Sequence, residues 1–328
     1  MNNIYIREKD SPALSYQQAK DSLGIIARGE ANNEQIKLFL NGYILNQIEP
    51  IELAGFRDAM FDLATLIDLS EFDPIDVCGT GGDGKDTFNI STTSAFVVAG
   101  AAQKVAKHGN HGVSSSVGSS TVLEYLGVKF SNDESFLKSK IETSGICFLH
   151  APLFHPAMRH VGPIRKELGV KTFFNMLGPL LNPAKVRKQL IGVYSQGVQI
   201  LLKDMFHGKE YGILHDLGGY DEISLTDNFL LNSSRGNLEL LGPDNLGFSN
   251  HIQSDLFSGN TAEESAKILT NILQNKGTIA QTEVVLANAA TALYIADSKL
   301  NWPEAVDKAR ESLKSGKAFE SFKKFIAP

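Results

Sequence analysis

Two cysteines, Cys78 and Cys147, are all the thiol this chain has. They form no CxxC pair and no disulfide framework. Both stand in apolar runs ("PIDVC", "GICFLH"), so the expectation is buried, reduced thiols in a cytoplasmic protein. A surplus of positive charge is missing as well. The formal net charge is −6 over 328 residues, which argues against bulk electrostatic attraction to nucleic acid or to an anionic membrane. An anionic ligand would need a local positive site. Long hydrophobic runs are also lacking. The opening "MNNIYIREKD" has no apolar stretch of the signal-peptide kind, and "SAFVVAGAA" is too short to span a bilayer. No tandem repeat, low-complexity tract or long linker occurs. What remains is a chain that is 42% hydrophobic, enough for one large domain or a large one with a small one.

The chain changes texture near residue 73. Before it, residues from about 12 to 70 read as helices only. "SYQQAKDSLGIIARG" opens on a Ser15 cap and closes near Gly29. "NNEQIKLFLNGYIL" places Ile36, Phe39, Leu40 and Tyr43 at helical spacing. Leu53, Phe56, Met60, Leu63 and Ile67 recur in steps of three and four, which predicts one long helix face. Short helices of this kind need a partner for their apolar faces. After residue 73, β-rich runs ("PIDVC", "KVAKHG", "ICFLHAP", "QLIGVYS", "EYGILHD") alternate with helical stretches. That alternation predicts a mostly parallel sheet covered on both faces. "TAEESAKILTNIL", "EVVLANAATALYIA" and "WPEAVDKARESLKSG" read as scaffold helices.

The densest glycine stretch is "CGTGGDGKDTFNIST", residues 78–92. Gly79, four residues, then Gly84-Lys85 is P-loop spacing, but Asp86 stands where a Mg²⁺-holding hydroxyl belongs. Asp83 and Asp86 flank the lysine and would repel an unassisted triphosphate. The following helix is predicted to start near Asn89 or Ser91, several residues late. A glycine loop between a strand and a helix still exposes backbone N–H groups beside a helix dipole, which suits phosphate of another kind. A second loop, "KVAKHGNHGVSSSVGSSTVLEYLG", follows a strand with Lys107, His108, Gly109 and Asn110. Ser114, Ser115, Ser116, Gly118, Ser119 and Ser120 come next. A cation and small hydroxyls before a helix suit a polyphosphate. Two such loops can sit at the carboxyl ends of neighbouring strands.

With these stretches go "HPAMRHVGPIRKELGVKTFFNMLGPLLNPA" and "GGYDEISLT". In this order and spacing the chain resembles the anthranilate phosphoribosyltransferase family of tryptophan biosynthesis over nearly its whole length. The resemblance implies an α/β fold of the nucleoside phosphorylase/phosphoribosyltransferase kind, with a small all-helical N-terminal domain and a larger α/β domain. The helical domain would take 1–72, with 166–187 packing on it. The α/β domain would take 73–165 and 188–328. It implies transfer of the phosphoribosyl group of 5-phosphoribosyl 1-diphosphate to the amine of anthranilate, with Mg²⁺, two per subunit. It also implies a cytoplasmic homodimer paired through the helical domain, with no nucleic acid or membrane partner.

Residue by residue, the resemblance implies that Gly79, Gly82, Asp83 and Thr87 line the phosphoribosyl diphosphate site. Asn89, Ile90, Ser91 and Thr92 would hold phosphates at the helix start, Ser91 also reaching Mg²⁺. Lys107 and Ser119 would hold phosphates from the second loop. Asn110 and Arg165 would contact anthranilate, Arg165 through its carboxylate, with Gly79, His108 and His155 as pocket walls. Asp221 and Glu222 would hold a second Mg²⁺, an ion that takes one or two carboxylates beside water and substrate phosphate. No general base is assigned, because an aromatic amine is already neutral at pH 7. The sequence departs from the usual pattern at His111 (commonly Arg), Ser116 (commonly Lys), Thr121 (commonly Asp) and Tyr220 (commonly Leu). The first three changes lie near the expected diphosphate site, and the first two remove positive charge there. A pyrimidine nucleoside phosphorylase is the sister reading, and a non-catalytic nucleic-acid binder the rival from another class. The run His150, His155, His160 gives no zinc motif, since steps of five leave one helix face and Pro152 and Pro156 interrupt it.

Overall fold

The computed structural model describes residues 4–112 and 117–327. Ser114, Ser115 and Ser116 of the second loop lie outside the described residues. Helix α1 (Tyr16–Ala27) starts on a reciprocal cap: Gln18 N donates to Ser15 Oγ, and Ser15 N donates to the Gln18 side chain. Asn32 and Gln35 repeat the device for α2 (Asn33–Leu45). Helix α3 (Pro50–Phe61) begins with proline in its first turn.

The predicted long face of α3 stops short. Leu63 and Ile67 share its spacing but lie beyond its end. Thr65 N donates to Phe154 O (2.9 Å) and Ile67 N to Pro183 O (3.3 Å). The chain is pulled out straight by pairing with a distant segment, and Ile67 joins a separate core with Leu137, Ile141 and Leu149. Tertiary hydrogen bonding wins over periodicity there.

Strand β1 (Ile75–Gly79), α4 (Ile90–Gly100), β2 (Val105–Gly109), α5 (Ser119–Tyr125), α6 (Glu134–Ser144) and β3 (Ile146–His150) follow in alternation. Short helices α7 (Ala151–Phe154), α8 (Gly162–Leu168) and α9 (Phe174–Leu180) return the chain to β4 (Lys188–Gly192). Then come α10 (Gln196–Lys203), β5 (Glu210–Asp216), β6 (Phe229–Ser233) and β7 (Glu239–Leu241). The chain ends in α11 (Pro243–Leu246), α12 (Ala262–Leu273), α13 (Ile279–Ala296), α14 (Trp302–Lys314) and α15 (Lys317–Ile326). The sheet order is β3-β2-β1-β4-β5-β6-β7. The first five strands are parallel, and β6 and β7 add an antiparallel edge that the strand–helix alternation does not predict.

Strand periodicity divides the core. Ile75, Val77, Val105, Ile146, Phe148, Leu190 and Leu214 face one layer, with α4, α12, α13, α14 and α15. On the opposite face Ile191, Val193 and Ile213 meet α10 and residues of α1, α2, α3 and α9. Side chains that alternate in this way bury both faces of a parallel sheet. Helix α13 is long and apolar enough to cross a bilayer, but it packs against α4, α14, β4 and β5, and most of it is buried within the protein.

Candidate active site

The cleft opens where the order of the sheet reverses. Strand β1 has β2 on one side and β4 on the other, and open α/β sheets bind ligands outside the carboxyl ends at such a point. Leaving β1, the chain turns through Gly81, Gly82 and Gly84 with φ of 66°, 83° and 71°. Left-handed backbone in quick succession is what glycine permits at little cost. The end of the loop is pinned. Thr87 bridges Phe257, Phe88 N donates to Leu256 O (2.9 Å), and Ser258 N donates to Asp86 O (3.1 Å). Helix α4 then begins with Asn89 at its N-cap. Lys85 does not line the cleft; its Nζ lies 4.7 Å from the centre of the Tyr220 ring. A triphosphate loop needs that lysine on the phosphates.

The loop after β5 carries the acids. Asp216 accepts from Gly218 N (2.8 Å), Ser224 N (2.9 Å) and Ser224 Oγ (2.7 Å), folding the loop on itself. Asn288 of α13 clamps Ile223 by accepting from its N–H (3.1 Å) and donating to its carbonyl (2.8 Å). Asp221 and Glu222 thereby sit on the tips of β1 and β4. A Cβ on Gly79 would stand 2.2 Å from Asp221 Oδ2, and one on Gly192 would stand 1.6 Å from Asp221 O. Glycine at both strand ends is what lets the loop seat this low. Gly81 N donates to Asp221 Oδ2 (2.6 Å).

Burial pushes Asp221 well above the usual carboxylate range, and Asp83 and Glu222 push it further. Burial also pushes Glu222 up to about 7, while Lys107 and Ser91 draw it back. Lys107 is 2% exposed, and its Nζ donates to Val77 O (2.6 Å) and Ser91 Oγ (3.2 Å). Glu222 Oε2, Asn89 Oδ1 and Thr92 Oγ1 are buried with no hydrogen-bond partner among the described residues. Each such atom costs about 1–3 kcal/mol if left unpaired, so their gathering in one cleft fits a site prepared for a polar or metal-bearing ligand. The lining sets Asp83, Asp86, Asp221 and Glu222 against Lys107 and Arg165 as its permanent cations among the described residues. That balance repels a bare polyphosphate, and divalent cations reverse it. The buried, orphaned carboxylate oxygen and the hydroxyl of Ser91 nearby are hard oxygen donors, which fit Mg²⁺.

Residues 151–181 supply the third wall. His155 Nε2 donates to Leu181 O (2.7 Å), and its ring meets that of His108 edge-on at 5.4 Å. Burial, helped by the neighbouring His155, holds His108 down to about 3, so it stays neutral. Arg165 lies over the Phe174 ring at 5.1 Å and donates to Asn175 Oδ1 (3.3 Å). Burial lowers its guanidinium to about 10, which leaves it charged at neutral pH. The volume of the open cleft is about 280 Å³.

Most residues singled out in the sequence meet here. Gly79, Asp83, Thr87, Asn89, Ser91 and Thr92 line the cavity from the first loop. Lys107, His108, Asn110 and Ser119 line it from the second, His155 and Arg165 from the third wall, and Asp221 and Glu222 from the acid loop. Gly82 and Ile90 do not line it. Gly82 backs onto Lys171 and Asn175, and the Ile90 side chain is wholly buried in the main core. Thr80, Phe174 and Asn175 face the cavity without having been singled out. Asn175 was visible as a polar residue between Phe174 and Met176, the one signal that could have marked it.

Residues 71–319 match the family described as "Glycosyl transferase family, a/b domain", so the chain is a glycosyltransferase of that class. It is 52% identical over 327 residues to an anthranilate phosphoribosyltransferase of Christiangramia forsetii, covering 99% of this chain and 98% of the relative. A Flavobacterium psychrophilum protein of the same name is 51% identical, with the same coverage. The crystal structure of the Thermus thermophilus anthranilate phosphoribosyltransferase superposes with a TM-score of 0.87 at 32% identity, covering 96% of this chain and 95% of that one. The Saccharomyces cerevisiae enzyme, solved in complex with PRPP and Mg, gives 0.86 at 30% identity, covering 95% and 93%. The chain belongs to the anthranilate phosphoribosyltransferase family.

Proposed function

We propose that the cleft at the β1–β4 switch joins the amine of anthranilate to C1 of 5-phosphoribosyl 1-diphosphate and releases pyrophosphate, the second step from chorismate to tryptophan. The observation that carries the residue assignment is the acid pair Asp221–Glu222, seated on the strand tips. Lys107 and the start of α4 face it, and an oxygen of the pair is left unpartnered.

Breaking the C1–O bond builds positive charge on the ribose and negative charge on the leaving diphosphate. The first loop would line the sugar diphosphate through Gly79, Asp83 and Thr87. The start of α4, from Asn89 through Ile90 to Ser91 and Thr92, would offer N–H groups and hydroxyls to its phosphates. Lys107, already bonded to Ser91, and Ser119 would complete that cradle. Asp221 with Glu222, and Ser91, would hold two Mg²⁺ per subunit, which supply charge neutralisation to the leaving diphosphate when bound. Arg165, flattened on Phe174, is placed for the carboxylate of anthranilate, and Asn110 for orienting its ring. His108 and His155 would shape that pocket as neutral rings. The amine needs no base before it attacks, so catalysis here is positional and electrostatic.

The exposed apolar side chains Leu38, Leu45 and Ile51 on the N-terminal helices support pairing of two copies through that lobe, and a cytoplasmic setting suits the free thiols. Incubating the protein with Mg²⁺, anthranilate and 5-phosphoribosyl 1-diphosphate should extinguish anthranilate fluorescence and release pyrophosphate stoichiometrically. Unchanged fluorescence with both substrates and Mg²⁺ present would refute the assignment. Light scattering at twice the chain mass would support the dimer.

A further inference from the structure

Beside the cleft, three residues from separate elements converge: His111 after β2, Glu124 on α5 and His150 at the end of β3. One donor atom of each lies within 4.8 Å of both others. The geometry points to a transition-metal site here, holding Zn²⁺ or a similar borderline dication through two imidazoles and one carboxylate, separate from the Mg²⁺ positions.

The donor set is the first argument. Nitrogen and carboxylate ligands in threes, with an open position, are what Zn²⁺ takes, whereas Mg²⁺ takes oxygen. The spacing is the second. His111 Nε2 is 3.8 Å from Glu124 Oε1. Donors at about 2.0–2.2 Å from a tetrahedral ion stand roughly 3.3–3.5 Å apart, so this pair lies within a few tenths of an ångström of that spacing. The outer partners are the third argument. His150 Nδ1 lies 2.9 Å from Ser120 Oγ, and His111 Nδ1 lies 3.4 Å from Thr121 Oγ1. A hydroxyl that engages Nδ1–H fixes the tautomer and leaves Nε2 its lone pair, as metal-bound histidines require. The His150 ring is also held, stacked on Phe130 at 4.4 Å.

The sequence hid this site. The run His150, His155, His160 does not assemble, because His155 faces His108 and Leu181 while His160 meets Arg159. Only folding brings His150 to His111, edge-on at 5.1 Å. His111 also lines the cleft, one residue from Asn110. An ion there would tie the segment after β2 to α5 and add positive charge to a rim that has few permanent cations.

The test uses untagged, chelator-stripped protein titrated with Co²⁺ under saturating Mg²⁺, followed by visible absorption and calorimetry. One equivalent should bind per chain with a tetrahedral Co²⁺ spectrum, and Zn²⁺ should displace it. His111 and Glu124 are about half exposed, so H111A and E124Q should fold normally by circular dichroism. Each should weaken Co²⁺ binding at least about tenfold. Asp221→Asn with Glu222→Gln should leave the Co²⁺ site intact. No stoichiometric Co²⁺ binding would overturn the proposal. So would binding that persists unweakened in H111A and E124Q, or that disappears in the Asp221/Glu222 variant.

Discussion

Two desolvated acids in this chain have opposite surroundings. In the N-terminal lobe, Glu52 is fully buried, and both its oxygens are occupied. Oε1 accepts from Leu14 N (2.8 Å) and Tyr43 Oη (3.0 Å), and Oε2 from Arg7 Nη1 (2.9 Å) and Glu49 N (2.9 Å). It ties four points of the helical lobe together. On the strand tips, Glu222 is half-buried beside the buried Asp221, with its buried Oε2 unpartnered among the described residues, and desolvation raises it into the neutral range. A buried carboxylate with every lone pair used holds the fold. One kept short of partners beside another acid is destabilising on its own and makes sense only with a ligand.

Glu52→Ala tests the first half of the contrast and carries the largest expected effect. It leaves Arg7 buried without its partner, so denaturant unfolding should show a loss of about 3–5 kcal/mol. Turnover per folded molecule should be unchanged. The converse variant, Asp221→Asn with Glu222→Gln, should lower kcat/KM roughly 10²–10³-fold while the melting temperature of the Mg²⁺-free protein holds or rises. If the two variants behaved alike, the contrast between the sites would fail.

Gly79→Ala sharpens the comparison by moving an acid without removing it. The new Cβ would collide with Asp221 Oδ2, and a displacement of about 1 Å should cost roughly 10²-fold in turnover. A crystal structure should show Asp221 lifted off the strand tip.

The smallest effect is in pH. The folded pKa of Glu222 stands above its unfolded value of 4.5, so the native state binds the extra proton. Stability from this group is therefore fully present below the usual glutamate range and is lost as pH rises through about 7. With Glu222 holding Mg²⁺ as proposed, the ion would displace that proton below about 7, so the half-saturating Mg²⁺ concentration should rise about tenfold per pH unit on the acid side. A Mg²⁺ requirement flat from about pH 6 to 8 would contradict this.

Much of the second acid's setting was legible in the sequence, and little of the first's. The tandem Asp221-Glu222 stood out in "GGYDEISLT", and the glycine loop announced an anion site, because chemistry-bearing residues lay close together along the chain. Glu52 looked like an ordinary helix residue; its partners Arg7, Leu14 and Tyr43 are gathered by packing. Gly192 gave no sign that it floors the acid loop, since its role is set by a segment about thirty residues away in sequence. Lys85 fits a known spacing, but Asp86 and the late helix start already argued against a triphosphate loop, and the lysine rests on Tyr220. The early stop of α3 was invisible for the same reason as Glu52's bonds: the deciding partners, Phe154 and Pro183, are remote.

The bare strand tips under Asp221 have a further consequence. Since the Asp221 carboxylate and carbonyl occupy the space where side chains of residues 79 and 192 would grow, the acid side of the cleft, proposed for the diphosphate, inherits the stiffness of a hydrogen-bonded sheet. The proposed acceptor side instead takes His155 and Arg165 from the short segments between 151 and 181, beside His108 and Asn110 at the end of β2. On the proposed assignment, a redesign aimed at a different amine would start on those helices and leave the strand tips under Asp221 unaltered.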